Sequence, residues 1–291
     1  RFLFSHQNPA LNVDVPTLRN NLSSLISIPL KQPFPTVEGA FGIYTESNSY
    51  VLIGDCLEKQ LYNIFDNLGC GIYADQTDMD IVNNTFQNIV FNLDVKKGCS
   101  GCPSYFGTAI KAVGDLVNNN PHYINIGIKP NSCIDLGNIP FALKNEFNEV
   151  FDAISVSTYN TVEIKNNNFS NTANISSFNS YGVGRSAVWI SEPLSDNFIT
   201  ISQNTFNNYF NGIVVWRNIL KSNTNSYIDI YQNEIQAWGA GTVALAIGLF
   251  DVYHGSNGTI TIYENKIFNS YKGIMAMNVA NTDGWGIGSN E

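Results

Sequence analysis

The sequence predicts an all-β chain wound into a right-handed parallel β-helix, a solenoid of about seven coils with asparagine ladders and loop insertions. Three observations predict it: a hexapeptide pattern recurs along the 291 residues, a second strand pattern follows it, and asparagine is abundant. The 41 asparagines are about one residue in seven, a content that disfavours helices because asparagine competes for backbone hydrogen bonds. Asparagine suits turns, because it tolerates left-handed backbone conformations.

The hexapeptide has an apolar residue, two of any type, an asparagine, one of any type and a large apolar residue. Its copies occupy residues 81–86, 164–169, 201–206, 230–235 and 262–267. The shared asparagines are Asn84, Asn167, Asn204, Asn233 and Asn265. From Asn167 onward they are 37, 29 and 32 residues apart, whereas 83 residues separate the first two. The long gap therefore predicts one further, degenerate coil, built from residues 109–112 and 123–126.

A second strand pattern of small and branched residues accompanies each copy of the hexapeptide. It stands at residues 71–74, 153–156, 212–215 and 273–276, with weaker copies at 187–190 and 244–247. Its alternation is that of a short β-strand with one inward face. One such unit cannot bury its apolar side alone, so the units are expected to stack with their strands paired in parallel.

The repeated asparagines are expected to form a ladder along the solenoid axis. An asparagine at the same corner of every coil places its amide on the amide below, and each amide has both donors and acceptors. The column satisfies polar groups whose burial without partners is costly.

Residues 1–40 do not repeat and are predicted to form a non-repeat or capping segment, in which residues 17–22 begin either a short helix or a cap. Residues 41–291 are predicted to form the β-helix domain. The chain opens without methionine and shows no signal peptide, so we interpret it as a mature chain or a piece of a longer protein.

The pattern Ile-x-x-Asn-x-Phe-x-Asn, followed by Gly-Ile, resembles the right-handed parallel β-helix repeat of the pectate-lyase-like superfamily across residues 42–278. The asparagine-rich repeats also resemble secreted surface proteins of Bacteroidetes-type bacteria. The resemblance implies an extracellular or cell-surface location. It implies little about activity, because this fold hosts lyases, hydrolases, adhesins and phage spikes.

The composition argues against several partners. The net charge is −9 and the pI about 4.7, and no cluster of lysine and arginine is present, so no nucleic acid is expected. No apolar run reaches the length of a membrane span, so no membrane insertion is expected.

The five cysteines and three histidines do not predict a metal site or a cofactor. Cys99 and Cys102 are close enough for a local disulfide, and two free thiols in a loop are the alternative. Cys56, Cys70 and Cys133 are expected to be small buried residues.

Asp283 is a weak catalytic candidate. The string Asn-Thr-Asp-Gly at residues 281–284 resembles the Asn-Thr-Asp motif of polygalacturonases, in which the aspartate belongs to the acidic set that cleaves the glycosidic bond. The other motifs of that family are missing, and a simple turn also explains these residues.

The carboxylates Asp80, Glu163 and Asp229 occupy the same outward strand site in their coils. Pectate lyases use such residues to bind calcium. The coils that hold Thr200 and Thr261 interrupt the set, so calcium is not indicated and a solvated strand face is expected.

Two sets of outward aromatic and apolar residues are candidates for binding. In the second strand, alignment predicts an outward column that includes Tyr73, Ser155, Trp189, Val214, Ala246 and Met275. Such an apolar stripe marks either a covered face or a binding face, and insertions at residues 190–197, 216–226 and 248–257 are expected to cover it. Tyr231 and Tyr263 are predicted to stack on the other strand. Trp189, Tyr231 and Tyr263 are therefore the candidate sugar-binding residues.

The favoured functional hypothesis is a non-catalytic extracellular or cell-surface module, structural or adhesive, with a capacity to bind glycan. Its expected partners are a polysaccharide or cell-surface glycan and other domains of a larger parent chain. The alternatives are a polysaccharide lyase or glycoside hydrolase with an outer-face groove, and a dedicated carbohydrate-binding module.

Overall fold

The computed structural model describes residues 3–5, 41–46, 50–54, 62–89, 107–115, 120–127, 144–171, 185–192, 197–217, 219–220, 226–237, 245–254, 258–279 and 285–291. In this part of the chain every regular element is a strand, and the strands form three parallel sheets of eight plus one two-stranded sheet. Successive strands visit the three large sheets in rotation, and seven steps join the eight strands of each sheet. The predicted right-handed parallel β-helix of about seven coils is confirmed.

Sheet A carries the hexapeptide strands, and its inward side is a column of phenylalanines. The rings of Phe65, Phe86, Phe147, Phe169 and Phe206 stack with centroids 4.6 to 4.9 Å apart, the spacing of neighbouring strands. All five are buried. The strands are β1 (Leu3–Ser5), β4 (Asn63–Asp66), β7 (Asn84–Ile89), β10 (Glu146–Val150), β13 (Asn168–Ser170), β16 (Thr205–Tyr209), β20 (Glu234–Ala237) and β24 (Lys266–Phe268).

Sheet B carries the second strand pattern, and its inward residues are isoleucine, valine, leucine and alanine. Gly42, Gly71 and Gly212 begin three of its strands where a Cβ would come within 2.6 Å of a backbone oxygen of the next coil, so small residues are required there. The strands are β2 (Phe41–Glu46), β5 (Cys70–Asp75), β8 (Thr108–Val113), β11 (Asp152–Ser157), β14 (Ser186–Ser191), β17 (Asn211–Trp216), β21 (Leu245–Phe250) and β25 (Lys272–Met277).

Sheet C has the strictest alternation, because isoleucine fills most of its inward sites and polar or aromatic residues fill most of its outward sites. β-Branched residues pack well on such a half-buried pleated surface. The strands are β3 (Tyr50–Ile53), β6 (Asp78–Ile81), β9 (Tyr123–Ile126), β12 (Thr161–Lys165), β15 (Phe198–Ser202), β19 (Tyr227–Tyr231), β23 (Thr259–Tyr263) and β26 (Trp285–Gly288).

Left-handed residues turn the chain at each corner of the coil. Every non-glycine residue with positive φ in the described ranges lies at a corner or is the next-to-last residue of the strand that leads into it. A single left-handed residue there redirects the chain at a modest conformational cost. Between sheets A and B they are Asn67, Asn88, Glu149, Asn208 and Asn269. Between B and C they are Gln76, Thr158, Glu192, Arg217, Asp251 and Asn278. Between C and A they are Asn83, Asn166, Gln203, Gln232, Glu264 and Ser289.

The predicted asparagine ladder stands at the corner between sheets C and A, one residue after the left-handed position. Asn204 shows the contacts of one rung: its Nδ2 donates to Oδ1 of Asn233 at 3.1 Å and to the carbonyl of Ile164 at 2.9 Å. Its backbone N–H also donates to Oδ1 of Asn233. Linked side chains continue through Asn63, Asn84, Asn145, Asn167, Asn204, Asn233, Asn265 and Asn290.

The degenerate coil between Asn84 and Asn167 is confirmed, and Asn145 supplies its rung. The insertions that follow β17 and β21 each contribute a two-residue strand, β18 (Ile219–Leu220) and β22 (Tyr253–His254), which pair in parallel. At the amino-terminal end, β1 pairs with β4 as the first strand of sheet A. Residues 6–40, including the short helix or cap expected at residues 17–22, lie outside the described ranges.

Candidate functional site

The outer face of sheet C presents side chains in three columns that run along the solenoid. On β19 the outward residues are Tyr227, Asp229 and Tyr231, which alternate with the buried Ile228 and Ile230. Neighbouring strands continue each column in register. Alternation thus places two aromatic residues on one strand, about 13 Å apart at four residues of rise, with a carboxylate between them.

Four rings form what we call the aromatic platform: Phe198, Tyr227, Tyr231 and Tyr263. Tyr231 and Tyr263 stack with centroids 5.0 Å apart and ring planes within 6° of parallel. Phe198 and Tyr227 meet edge to face at 5.4 Å. All four side chains are partly exposed. The predicted stacking of Tyr231 on Tyr263 is therefore confirmed, and a second ring pair flanks Asp229 on its other side.

Asp229 is the central outward residue of β19 and lies between the two ring pairs. The hydroxyl of Thr261, one strand further along, donates a hydrogen bond to its carboxylate. Burial and the neighbouring Tyr231, Asp229 and Glu264 raise the pKa of Tyr263, so negative charge surrounds this end of the platform. Such a surface accepts hydrogen bonds from hydroxyl groups and repels anions.

The column of Asp80, Glu163 and Asp229 is confirmed, with Asn125 and Thr200 between its carboxylates. Asp80 was expected on a solvated face, and this expectation is wrong. Asp80 is buried and accepts hydrogen bonds from the Tyr50 hydroxyl at 2.7 Å and from Nδ2 of Asn125 at 2.8 Å.

Tyr123 lies beside this buried carboxylate. Burial, together with the charge of Asp80, raises the pKa of Tyr123 to about 12. The carboxylate of Asp80 is thus enclosed by its neighbours, whereas that of Asp229 remains partly exposed.

Trp189 lies on a different face from the two tyrosines. It points outward from β14 of sheet B and meets Trp216 of the next coil edge to face at 6.0 Å. Arg217 places its guanidinium 4.3 Å from the Trp216 ring centroid. The structure therefore brings Tyr231 and Tyr263 together and leaves Trp189 outside the aromatic platform.

The outward column of sheet B differs from its predicted membership. In register it consists of Tyr44, Tyr73, Lys111, Ser155, Trp189, Val214, Gly248 and Met275. The placement of Ala246 was wrong by two residues, because β21 begins at Leu245 and pairs Ile247 with Ile213. Ala246 belongs to the buried core instead.

Burial on the outer face of sheet B varies from coil to coil. Val214 points away from the core, yet it is only 1% exposed, whereas Lys111, Ser155 and Trp189 in the same column are partly exposed. Much of the three insertions expected to cover this face lies outside the described ranges. At the amino-terminal end, Tyr44 and Tyr73 stack at 5.4 Å, and burial raises the pKa of Tyr73 to about 12.

Sequence reasoning missed a charged cluster on the outer face of sheet B. Arg185 clamps Asp152 through Nε at 2.9 Å and through a second contact from Nη2, and Lys111 donates to Oγ of Ser155 at 3.0 Å. Burial lowers the pKa of Lys111, and it raises the pKa of Asp152 against the opposing effect of Arg185. The contact of Lys111 with Ser155 was predictable, because the two residues occupy equivalent positions in neighbouring strands. The contact of Arg185 was not, because Arg185 lies before its strand and has no equivalent in the other repeats.

Several other candidates gain no support or cannot be placed. Asp283, Cys99 and Cys102 lie outside the described residues, and so do Cys56 and Cys133. Cys70 is buried and free, as expected. Within the described ranges, no three histidine, cysteine, aspartate or glutamate side chains converge to hold a metal ion. The described part of the chain contains no helix that could span a bilayer.

Comparisons of the chain with protein-family models, with curated proteins and with solved structures found no match.

Proposed function

We propose that this chain is a non-catalytic extracellular or cell-surface β-helix module that binds glycan through the aromatic platform of sheet C. The observation that carries this proposal is the parallel, partly exposed pair Tyr231 and Tyr263 beside Asp229. The faces of aromatic rings are electron-rich and attract the weakly positive C–H groups of a sugar ring. A carboxylate and hydroxyls between such rings supply the few polar contacts that orient a ligand.

The solenoid suits a structural or adhesive role. Three parallel sheets and the asparagine ladder bond each coil to the next, and the result is a stiff rod. Such a rod can present a binding face and keep other domains of a larger chain at a distance from one another. The repeat pattern supports a further proposal, that the protein is related to pectate-lyase-like β-helices and to secreted surface proteins of Bacteroidetes-type bacteria.

The engagement of the carboxylates near the platform supports a non-catalytic role. Asp229 accepts a hydrogen bond from Thr261, and Glu264 accepts one from Nε2 of Gln232 at 2.8 Å. Glycoside hydrolysis needs two carboxyl groups that face each other across the scissile bond, one as acid and one as base or nucleophile. Here the carboxylates support neighbouring side chains instead.

The proposal is tested with the whole purified protein on a panel of immobilised glycans and, in parallel, in assays for released sugars. We expect glycan retention without product release. The double substitution Tyr231→Ala with Tyr263→Ala is expected to abolish retention. Tyr271→Ala is the matched control, because Tyr271 is 58% exposed outside the platform. Shortened or unsaturated products, or retention that survives the double substitution, would contradict the proposal.

A second candidate function, a polysaccharide lyase, is favoured by Lys111, a partly exposed outward residue of sheet B whose Nζ donates to Oγ of Ser155. Burial lowers the pKa of this lysine, which moves it toward the neutral amine that a lyase uses to remove the proton next to a uronate carboxylate. The electron pair of that C–H bond then forms a double bond as the glycosidic oxygen leaves. Release of unsaturated uronates from polygalacturonate, and its loss in Lys111→Met, would establish this alternative.

A further inference from the structure

The last strand of sheet C carries glycine at both of its outward positions. Gly286 and Gly288 of β26 lie in register with Thr261 and Tyr263 of β23. A Cβ added at either position would meet no atom within 4 Å, and both residues are exposed. We call this bare strip of backbone the glycine shelf.

The shelf leaves one side of the Tyr263 ring open. On one side Tyr263 stacks against Tyr231. On the other side, where the next strand would place a further ring about 4.8 Å away, Gly288 has no side chain. In the phenylalanine column of sheet A, by contrast, the inner rings have a ring on each side. The ring of Tyr263 is therefore an unfinished stack with room for a flat ligand.

Polar groups border this space on one side. The hydroxyl of Thr261 and the carboxylate of Asp229 lie in the neighbouring column, two residues along their strands from Tyr263 and Tyr231. A ring with hydroxyls around its rim would match these groups.

The negative charge around the glycine shelf favours uncharged sugars over anionic ones. Asp229 and Glu264 both act electrostatically on Tyr263. Among the described strands of sheet C, the cation is Lys165 on β12, three strands away from β23. A uronate would place its carboxylate near Asp229 and Glu264. The nearby cation Lys266 lies among Glu234, Glu264 and Glu291, so like charges still oppose binding of an anionic sugar.

We propose that the glycine shelf is the primary sugar subsite, where a pyranose ring of an uncharged glycan stacks on the free face of Tyr263. This inference rests on the proposed glycan-binding function and makes it specific in position and charge.

The test fills the shelf without removing any existing contact. Gly288→Ile places a branched side chain where an added Cβ meets nothing and where the backbone is not left-handed. The probes are soluble xylan and hydroxyethyl cellulose, which are uncharged, and polygalacturonate, which is anionic. We expect the substitution to weaken binding of an uncharged probe about tenfold, the effect of losing one ring-stacking contact.

Thr205→Ile is the matched control, because it places the same side chain at a partly exposed outward site of β16 in sheet A, on a different face from the platform. It should leave affinity unchanged. If the wild-type protein retains no glycan of any kind, the proposed function itself fails. If Tyr263→Ala abolishes binding while Gly288→Ile does not, the platform binds glycan and the shelf assignment is overturned. Preference for polygalacturonate would overturn the assignment of an uncharged ligand.

Discussion

The outer faces of sheets B and C belong to the same coils, yet some outward residues of sheet B are buried more deeply than those of the aromatic platform. On sheet B, Val214 is fully covered and Asp152 is buried beneath Arg185. On sheet C, Glu163 and the rings of Tyr231 and Tyr263 remain partly exposed. Alternation along a strand decides which residues point outward, and it does so equally well in both sheets. It does not decide whether an outward residue reaches solvent, because that depends on what lies over the sheet.

The largest expected effect on stability comes from substituting one asparagine of the ladder. Its loss of unfolding free energy is the reference for the smaller losses expected on sheets B and C. Asn204→Ala removes the acceptor of two Asn167 donors and the donor to Ile164. We expect a loss of about 4 kcal/mol of unfolding free energy, because several buried groups lose their partners together. Urea unfolding measures it. Asn207→Ala, on the outward side of sheet A, should cost less than about 0.5 kcal/mol.

The second comparison asks whether a buried carboxylate of sheet B contributes more to stability than a partly exposed one of sheet C. Asp152→Ala leaves the Arg185 guanidinium unpaired beside Lys111, and we expect a loss of about 3 kcal/mol, the low end for a buried pair, because Arg185 is 48% exposed. Glu163→Ala on sheet C is the counterpart and should change stability by less than about 0.5 kcal/mol. Equal losses in the two variants would remove the distinction between the faces.

Truncation of an outward residue sharpens the comparison without involving charge. Val214→Ala removes two buried methyl groups, and we expect a loss of about 2 kcal/mol from lost burial and the cavity left behind. Thr200→Ala, at an outward site of sheet C that is only partly buried, should cost less than about 0.5 kcal/mol. A negligible effect at Val214 would show that its cover does not pack against it.

The smallest effect concerns alkaline pH. The folded protein holds the phenolic proton of Tyr73 up to a pKa of about 12, whereas the unfolded chain releases it near 10. The unfolded state therefore loses a proton that the folded state keeps, and stability falls as pH rises between these values. Tyr73→Phe should flatten the decline of the urea midpoint between pH 10 and 12. Tyr271→Phe, at an exposed site, should leave the decline as in the wild type.

The repeat was predictable because one geometric rule governs each rung. Asn84, Asn167, Asn204, Asn233 and Asn265 were all identified from spacing alone, since each follows an isoleucine by three residues. The rung at Asn145 was missed because the equivalent isoleucine, Ile126, lies 19 residues before it instead of three. Asn-Glu-Phe at residues 145–147 keeps the second half of the pattern. Asn290 was missed because the chain offers no large apolar residue after it.

The candidate sites were less predictable, because they depend on contacts between non-equivalent positions. The stacking of Tyr231 on Tyr263 followed from equal places in two repeats. The clamp of Arg185 on Asp152 joins a residue outside the strands to one inside them, and no period reveals it. The burial of Asp80 depends on Tyr50 and Asn125, which differ from their counterparts in other coils. The glycine shelf is visible only once β26 is aligned with β23.

The corner residues make the coils interchangeable parts. Gln203 and Gln232 have the same left-handed conformation, and the asparagine after each makes the same contacts with its neighbours. Joining Gln203 directly to Asn233 would excise one whole turn and leave every remaining layer in register. The solenoid can therefore become longer or shorter by duplication or deletion of a coil, while its cross-section stays the same.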